Sequence, residues 1–410
     1  MADPVLRILA SITFVGRIGR GVFLAVTVLF MTSIVGLSAG EVALVLGVSS
    51  AVGVCTAYLG GRLTDRYSAR RLLFVLMTAE SFALGCYGFA TNFAGVLILA
   101  SLLQALSSAA NTVRMAIVAH AFVGEARVQA RALLRTVINV AIALGAAVAA
   151  IALISDTADS YRIAMIGAGT VNLLGIIPLL KLPSRVDSTA KSSRRATAVP
   201  NRPTNCETSR TLTSPFRDRR YLLLTTYSVI FGMQFSLFEV GVPLWIVNNT
   251  VVPAALVAIL LMLNTAVVIV FQIPLSKGTH DLRKAGKAVG MAGISLAFAC
   301  VVYSLAAGVP AVPAISLLVL ATVAHAFAEV WSQAGTWAMS FELAHEASPG
   351  AYQGVFAMGT GIGAMCAPFV VAGTALKFGT TGWIFLALIF IGSSLGIAAI
   401  ARKASRPSSS

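Results

Sequence analysis

GGRLTDRYSARRLL, Gly60 to Leu73, decides how the rest of the chain is read. It places five charges within fourteen residues, between two long apolar runs. The two glycines allow close backbone approach where the first run ends, Asp65 and Arg66 are expected in a tight turn, and Arg70 and Arg71 open the next helix. Such a stretch fits a short charged hinge between two membrane spans.

Composition supports that setting. Of 410 residues, 58% are hydrophobic and 11% are charged, and the mean hydropathy is +0.88. That is too little polar surface to cover a soluble globule of this length, so the chain is expected to be an all-α integral membrane protein. The net charge of +15 does not point to nucleic acid, because the basic residues lie in the gaps between apolar runs, where they suit loops facing anionic lipid. The five cysteines, Cys55, Cys86, Cys206, Cys300 and Cys366, have neither disulfide-framework nor metal-site spacing, and the four histidines are scattered. No metal or cofactor is expected. The first apolar segment lacks a small-residue cleavage site and is read as a retained helix.

Crossing the hydrocarbon core takes about 20 apolar residues. Six such spans are expected at Leu9–Leu37, Val42–Leu59, Leu72–Ala90, Ala94–Ala121, Leu133–Ile154 and Ile163–Leu182. Six more are expected at Leu222–Val247, Ala254–Leu275, Ala288–Ala307, Val312–Ser340, Val355–Leu376 and Gly382–Ala401. This divides the chain into an N-terminal six-helix bundle (1–182), a linker (183–220), a C-terminal bundle (221–401) and a tail (402–410). The linker is rich in Ser, Thr, Pro, Lys and Arg and cannot bury a core. Lys and Arg concentrate in the segments facing one side, with Arg162 and Lys377 on the other, which places both termini in the cytoplasm. The halves echo one another. SKGTHDLRKAGK, between spans 8 and 9, repeats the charges of the opening stretch, and Ala119-His120 before Gln129 matches Ala344-His345 before Gln353.

Gly61, Leu63, Asp65, Arg66, Arg70 and Arg71 resemble the loop 2 to 3 signature of the major facilitator superfamily, G-x-L-x-D-R-x-x-x-R-R, at the position that family requires. The resemblance covers the whole chain, and helices 4, 10 and 11 look like those of bacterial drug or metabolite exporters. It implies the superfamily fold and a cytoplasmic latch in which the signature aspartate meets a basic residue of the loop 4 to 5 region, here Arg127 or Arg131. Setting topology by positive charge would account for the arginines alone but not for Asp65. Two exporter patterns are missing. Ser101 stands where an Arg would precede Gln104, and helix 5 reads NVAIALGAAVAA with no Gly-Pro element.

Ionisable residues inside spans are costly in lipid and point to coupling or binding. Glu239 lies in helix 7 beside Gly241 and Pro243, and it faces either a cavity or the outer interface. His325 and Glu329 share a face of helix 10 with Gln333, and Trp331 and Trp337 complete a polar and aromatic wall; the pair either binds and couples or satisfies itself. Arg17 and Arg20 share a face of helix 1, where they either snorkel, balance Glu239 or Glu329, or hold an anionic group. Arg114 in helix 4 suits gating, structural pairing or substrate contact equally. Gln234 is a further cavity candidate, with Glu80, Asn139, Asn172 and Asn264 behind it.

Without a phosphate-binding loop or a nucleophile elbow, ATP-driven or catalytic readings are disfavoured. The sequence is therefore read as a monomeric, non-enzymatic secondary transporter of the cytoplasmic membrane. It would use protons to export a drug-like or amphipathic metabolite, with a nutrient or sugar-like importer as the alternative and a non-transporting receptor or scaffold as the reading from another class.

Overall fold

The computed structural model describes residues 3–155, 157–182, 214–253, 255–345 and 348–405. Among the described residues there are twelve long helices and no strands. They are α1 (Pro4–Leu29), α2 (Ala39–Arg66), α3 (Ala69–Tyr87), α4 (Phe93–Ala121), α5 (Glu125–Ser155) and α6 (Ala158–Leu174). Then come α7 (Arg219–Asn249), α8 (Ala255–Ser276), α9 (Leu282–Leu305), α10 (Ala311–Glu342), α11 (Pro349–Val371) and α12 (Thr380–Ala404). Eleven are long and apolar enough to span a membrane. The exception, α3, packs Arg70, Arg71 and Glu80 into 19 residues.

Local chemistry sets the starts. Asp3 accepts from the Val5 amide with Pro4 at the first helical position, Ser38 and Glu41 form a reciprocal capping box, and Asn92 and Thr157 cap α4 and α6. Asp281, outside the spans, accepts from the amides of Arg283 and Lys284. Those bonds, the one to Lys284 foremost, hold its carboxyl below the usual aspartate range.

The opening stretch is more helical than expected. α2 continues through Gly60 to Arg66, so Asp65 and Arg66 occupy a last helical turn, and Tyr67 and Ser68 alone separate it from α3. The glycines serve packing rather than turning: a Cβ on Gly60 would lie 2.9 Å from Ala109 Cα, and one on Gly61 would collide with the Gly350 carbonyl. Likewise α5 begins at Glu125 rather than Leu133, and α11 at Pro349 rather than Val355. Hydropathy misplaced both starts, because charged and small residues there ride on protein-facing helix rather than in loops.

Most of the linker, residues 183–213, and tail residues 406–410 lie outside the described residues. The linker's last residues are ordered as a short helical turn, Pro215–Arg217, leading into α7.

The chain forms two compact units: Met1–Val123 with Val137–Asp218 and Ala344–Met358, and Gly124–Thr136 with Arg219–Leu343 and Gly359–Ser410. Each unit thus takes one helical segment from the opposite half of the sequence. In the first unit, Gly21 and Gly145 bring α1 against α5, with a Cβ on Gly21 only 2.9 Å from Ile142 Cα. Phe23, Phe30, Tyr87 and Tyr161 fill its core. In the second, Trp245 meets Trp383 edge-on at 5.6 Å and donates its indole N–H to the Tyr303 carbonyl at 2.9 Å. The Leu237–Gly241 turn of α7 is a π-turn, a deviation that recurs at functional positions in helices.

Candidate functional site

The start of α5 and the end of α10 run side by side in the second unit. Arg127, Arg131 and Arg135 are four residues apart, so one face of α5 presents them in a row. Each meets α10. Arg127 Nη1 lies 3.3 Å from Glu342 Oε1, the Arg131 guanidinium stacks 4.2 Å from the Trp337 ring centre, and Arg135 Nη2 lies 2.8 Å from Glu329 Oε1. In the third rung the Glu329 side chain is 9% exposed. Asn264 Nδ2 on α8 donates to the other Glu329 oxygen at 3.3 Å.

A narrow crevice follows this ladder, lined by Arg131, Arg135, Gln272, Gln333 and Trp337, with space for about one water. The side-chain oxygens of Gln272 and Gln333 have no hydrogen-bond partner among the described residues. Buried acceptors in that state are waiting for a donor.

His325 and Glu329 share a face of α10 but have different partners. His325 bonds to the Gln234 backbone and lies against Phe238, ring centres 5.0 Å apart, while its Nδ1 has no partner among the described residues. Gln234 donates to Ser332 at 2.9 Å. Glu239, in the π-turn, is exposed, and Glu329 and Arg135 are the charges that act on it. Trp331 packs on Phe327.

The other candidates lie in the first unit. Asp65 Oδ1 and Oδ2 accept from the amides of Gly350 and Ala351 at 2.9 and 2.7 Å, so the carboxylate caps the first turn of α11. Its hydrogen bonds therefore come from a helix start, whereas Arg127 and Arg131 are engaged on α10. Arg70 donates to the Leu182 carbonyl at 3.0 Å, and Arg66 and Arg71 are exposed. Arg17 donates to Asn111 at 3.4 Å and Arg20 to Gln104 at 2.7 Å, both across to α4, and Arg114 is buried there too. A counterpart of the Asp65 contact occurs in the second unit. Glu125, at the start of α5, accepts from the Gly278 amide at 2.7 Å and lies 2.6 Å from His280 Nδ1.

Sequence reasoning passed over Arg135 and Glu125. The four-residue spacing of the arginines was the available signal, hidden because Arg127 and Arg131 were assigned to a loop and Arg135 to the apolar span beyond it.

The sequence profile of the Major Facilitator Superfamily matches residues 9–368. The chain belongs to the Major Facilitator Superfamily. The family is one of membrane transporters, not enzymes. Solved structures agree on the fold. The human organic anion transporter MFSD10 (TETRAN) is 14% identical, with a TM-score of 0.69 over 96% of this chain and 99% of that one. A bacterial homologue of the iron transporter ferroportin, outward-facing with soaked iron, is 14% identical with a TM-score of 0.71 over 98% and 100%. The transporter FucP in its outward conformation is 12% identical with a TM-score of 0.69 over 98% and 99%. No curated protein matches the sequence.

Proposed function

We propose that this member of the superfamily is a monomeric, proton-coupled secondary transporter of the cytoplasmic membrane, with both termini cytoplasmic, that exports an amphipathic organic solute by alternating access. The Arg135–Glu329 pair carries the reading. A carboxylate and a guanidinium inside spans are costly to keep and separate readily when one is neutralised, so protonation of Glu329 would release Arg135 and bias the α5–α10 contact. Glu239, in the π-turn of α7 in the same unit, is the second carboxylate inside a span that this reading assigns to proton coupling. The Asp65 grip on α11 is the matching cytoplasmic latch. It joins a helix of the first six to one of the last six, and it must break when that side opens.

An importer is the second reading, favoured by one observation: α5 runs without an internal proline from Glu125 to Ser155. Comparing solute accumulation in cells with and without the protein tests direction. Lower accumulation of an amphipathic solute in expressing cells supports export, and higher accumulation supports import. A receptor would change neither, and Glu329→Gln would leave it unaffected.

A further inference from the structure

The first unit holds a second charged site that proton coupling does not use. Arg17 and Arg20 on α1 are half-buried, and Arg114 on α4 is only 4% exposed. At 1.5 Å per residue, Arg17 lies about 20 Å along α1 from its start, well inside a span. Arg17 and Arg20 reach neutral acceptors, Asn111 and Gln104, which lie on the same face of α4 as Arg114. Nε and Nη1 of Arg114 have no hydrogen-bond partner among the described residues.

Acidic compensation is scarce. Glu80 on α3 is the carboxylate that acts on all three guanidinium groups, and among the described residues none of the three is in an ion pair. Three cations facing one anion leave two positive charges without an acidic partner. A guanidinium keeps its proton inside a span, and one as enclosed as Arg114 is strongly destabilising unless an anion joins it. Snorkelling serves a single arginine near a helix end; it does not explain three on facing helices with donors left over.

We infer that Arg17, Arg20 and Arg114, with Asn111 and Gln104, form the binding site for an anionic group on the transported solute, which is therefore a small organic anion, such as a carboxylate or an organic oxyanion of one or two negative charges. The inference rests on the transport reading and narrows it. Guanidinium groups suit this task because their planar donors meet two oxygens of a carboxylate at once, and Nε and Nη1 of Arg114 are buried donors still without a partner among the described residues. Glu80 limits the excess charge to what one such solute neutralises.

The experiment uses full-length protein in lipid nanodiscs at constant ionic strength. Thermal unfolding and calorimetric titration are followed with succinate, 2-naphthoate, 2-naphthylmethanol and 2-naphthylmethylammonium. Succinate or 2-naphthoate should bind and raise the unfolding midpoint, while the alcohol and the ammonium ion should not. Arg114→Gln and Arg17→Gln should each weaken anion binding at least about tenfold, and Arg114→Lys should keep part of it. If the wild-type protein binds neither anion, or binds the alcohol or the cation as tightly, the inference is wrong. It is also wrong if folded Arg114→Gln or Arg17→Gln protein binds anions as the wild type does. Because wild type and Arg17→Gln decide the matter, misfolding of Arg114→Gln leaves no ambiguity. Anion binding without flux across a vesicle membrane would remove the transport reading and keep this site; flux of a neutral or cationic solute without anion binding would do the reverse.

Discussion

Arg135 Nη2 and Glu329 Oε1 are 2.8 Å apart, tying the first turns of α5 to the middle of α10, where the Glu329 side chain is only 9% exposed. Removing one partner leaves the other charge stranded, whereas removing both leaves a neutral contact. Glu329→Gln and Arg135→Gln should each lower stability by about 2–4 kcal/mol. The double substitution should cost less than the sum of the two, with a coupling of roughly 1–3 kcal/mol. Thermal unfolding of the four proteins in detergent measures this; strict additivity would mean the pair is incidental.

The Asp65 contact with the Gly350 and Ala351 amides makes a graded prediction. Asp65→Asn keeps one acceptor and loses the charge that favours a helix start, while Asp65→Ala loses both. Transport rates should fall in the order wild type, Asn, Ala, with about tenfold or more lost in Asp65→Ala. Gly61→Ala should reproduce the defect without touching a charge, because its methyl group would collide with the Gly350 carbonyl. Equal rates for Gly61→Ala and wild type would show that close approach of α2 and α11 is dispensable.

Asp281 gives a pH effect of known sign. Its carboxylate is held below its ordinary value by the Lys284 and Arg283 amides, so its contribution is fully present above the ordinary aspartate range and disappears as pH falls through the lower folded-state value. The effect is small, since the group is exposed and caps a helix at the surface. Asp281→Ala should lower the unfolding midpoint at pH 7 and converge with wild type in strong acid. An unchanged gap between the two across that range would contradict the capping account.

Much of this was legible in the sequence, for identifiable reasons. Apolar run length gave all twelve helices, and the Asp65 signature gave the family, because bilayer thickness and the superfamily motif constrain residues directly. Glu329 stood out because a carboxylate in a span has few explanations. Its partner did not: Arg135 looked like the charged edge of a helix starting at Leu133, and only the extension of α5 to Glu125 aligns it with Arg131 and Arg127. The start of α11 was hidden likewise, since Gly350 and Ala351 follow a proline and read as loop, yet their amides are what Asp65 needs. The opposite cations of Arg17, Arg20 and Arg114 could be placed in spans but not brought together, because rotation of nearly all-apolar helices leaves no periodic trace.

The central claim, that Glu329 carries the coupling proton, is tested most directly by comparing uphill transport with counterflow in proteoliposomes, using the solute that the accumulation comparison identifies. Glu329→Gln should abolish accumulation driven by an imposed pH gradient and retain exchange of labelled for unlabelled solute, which needs no net proton movement. Gradient-driven accumulation by Glu329→Gln at the wild-type level would contradict the account.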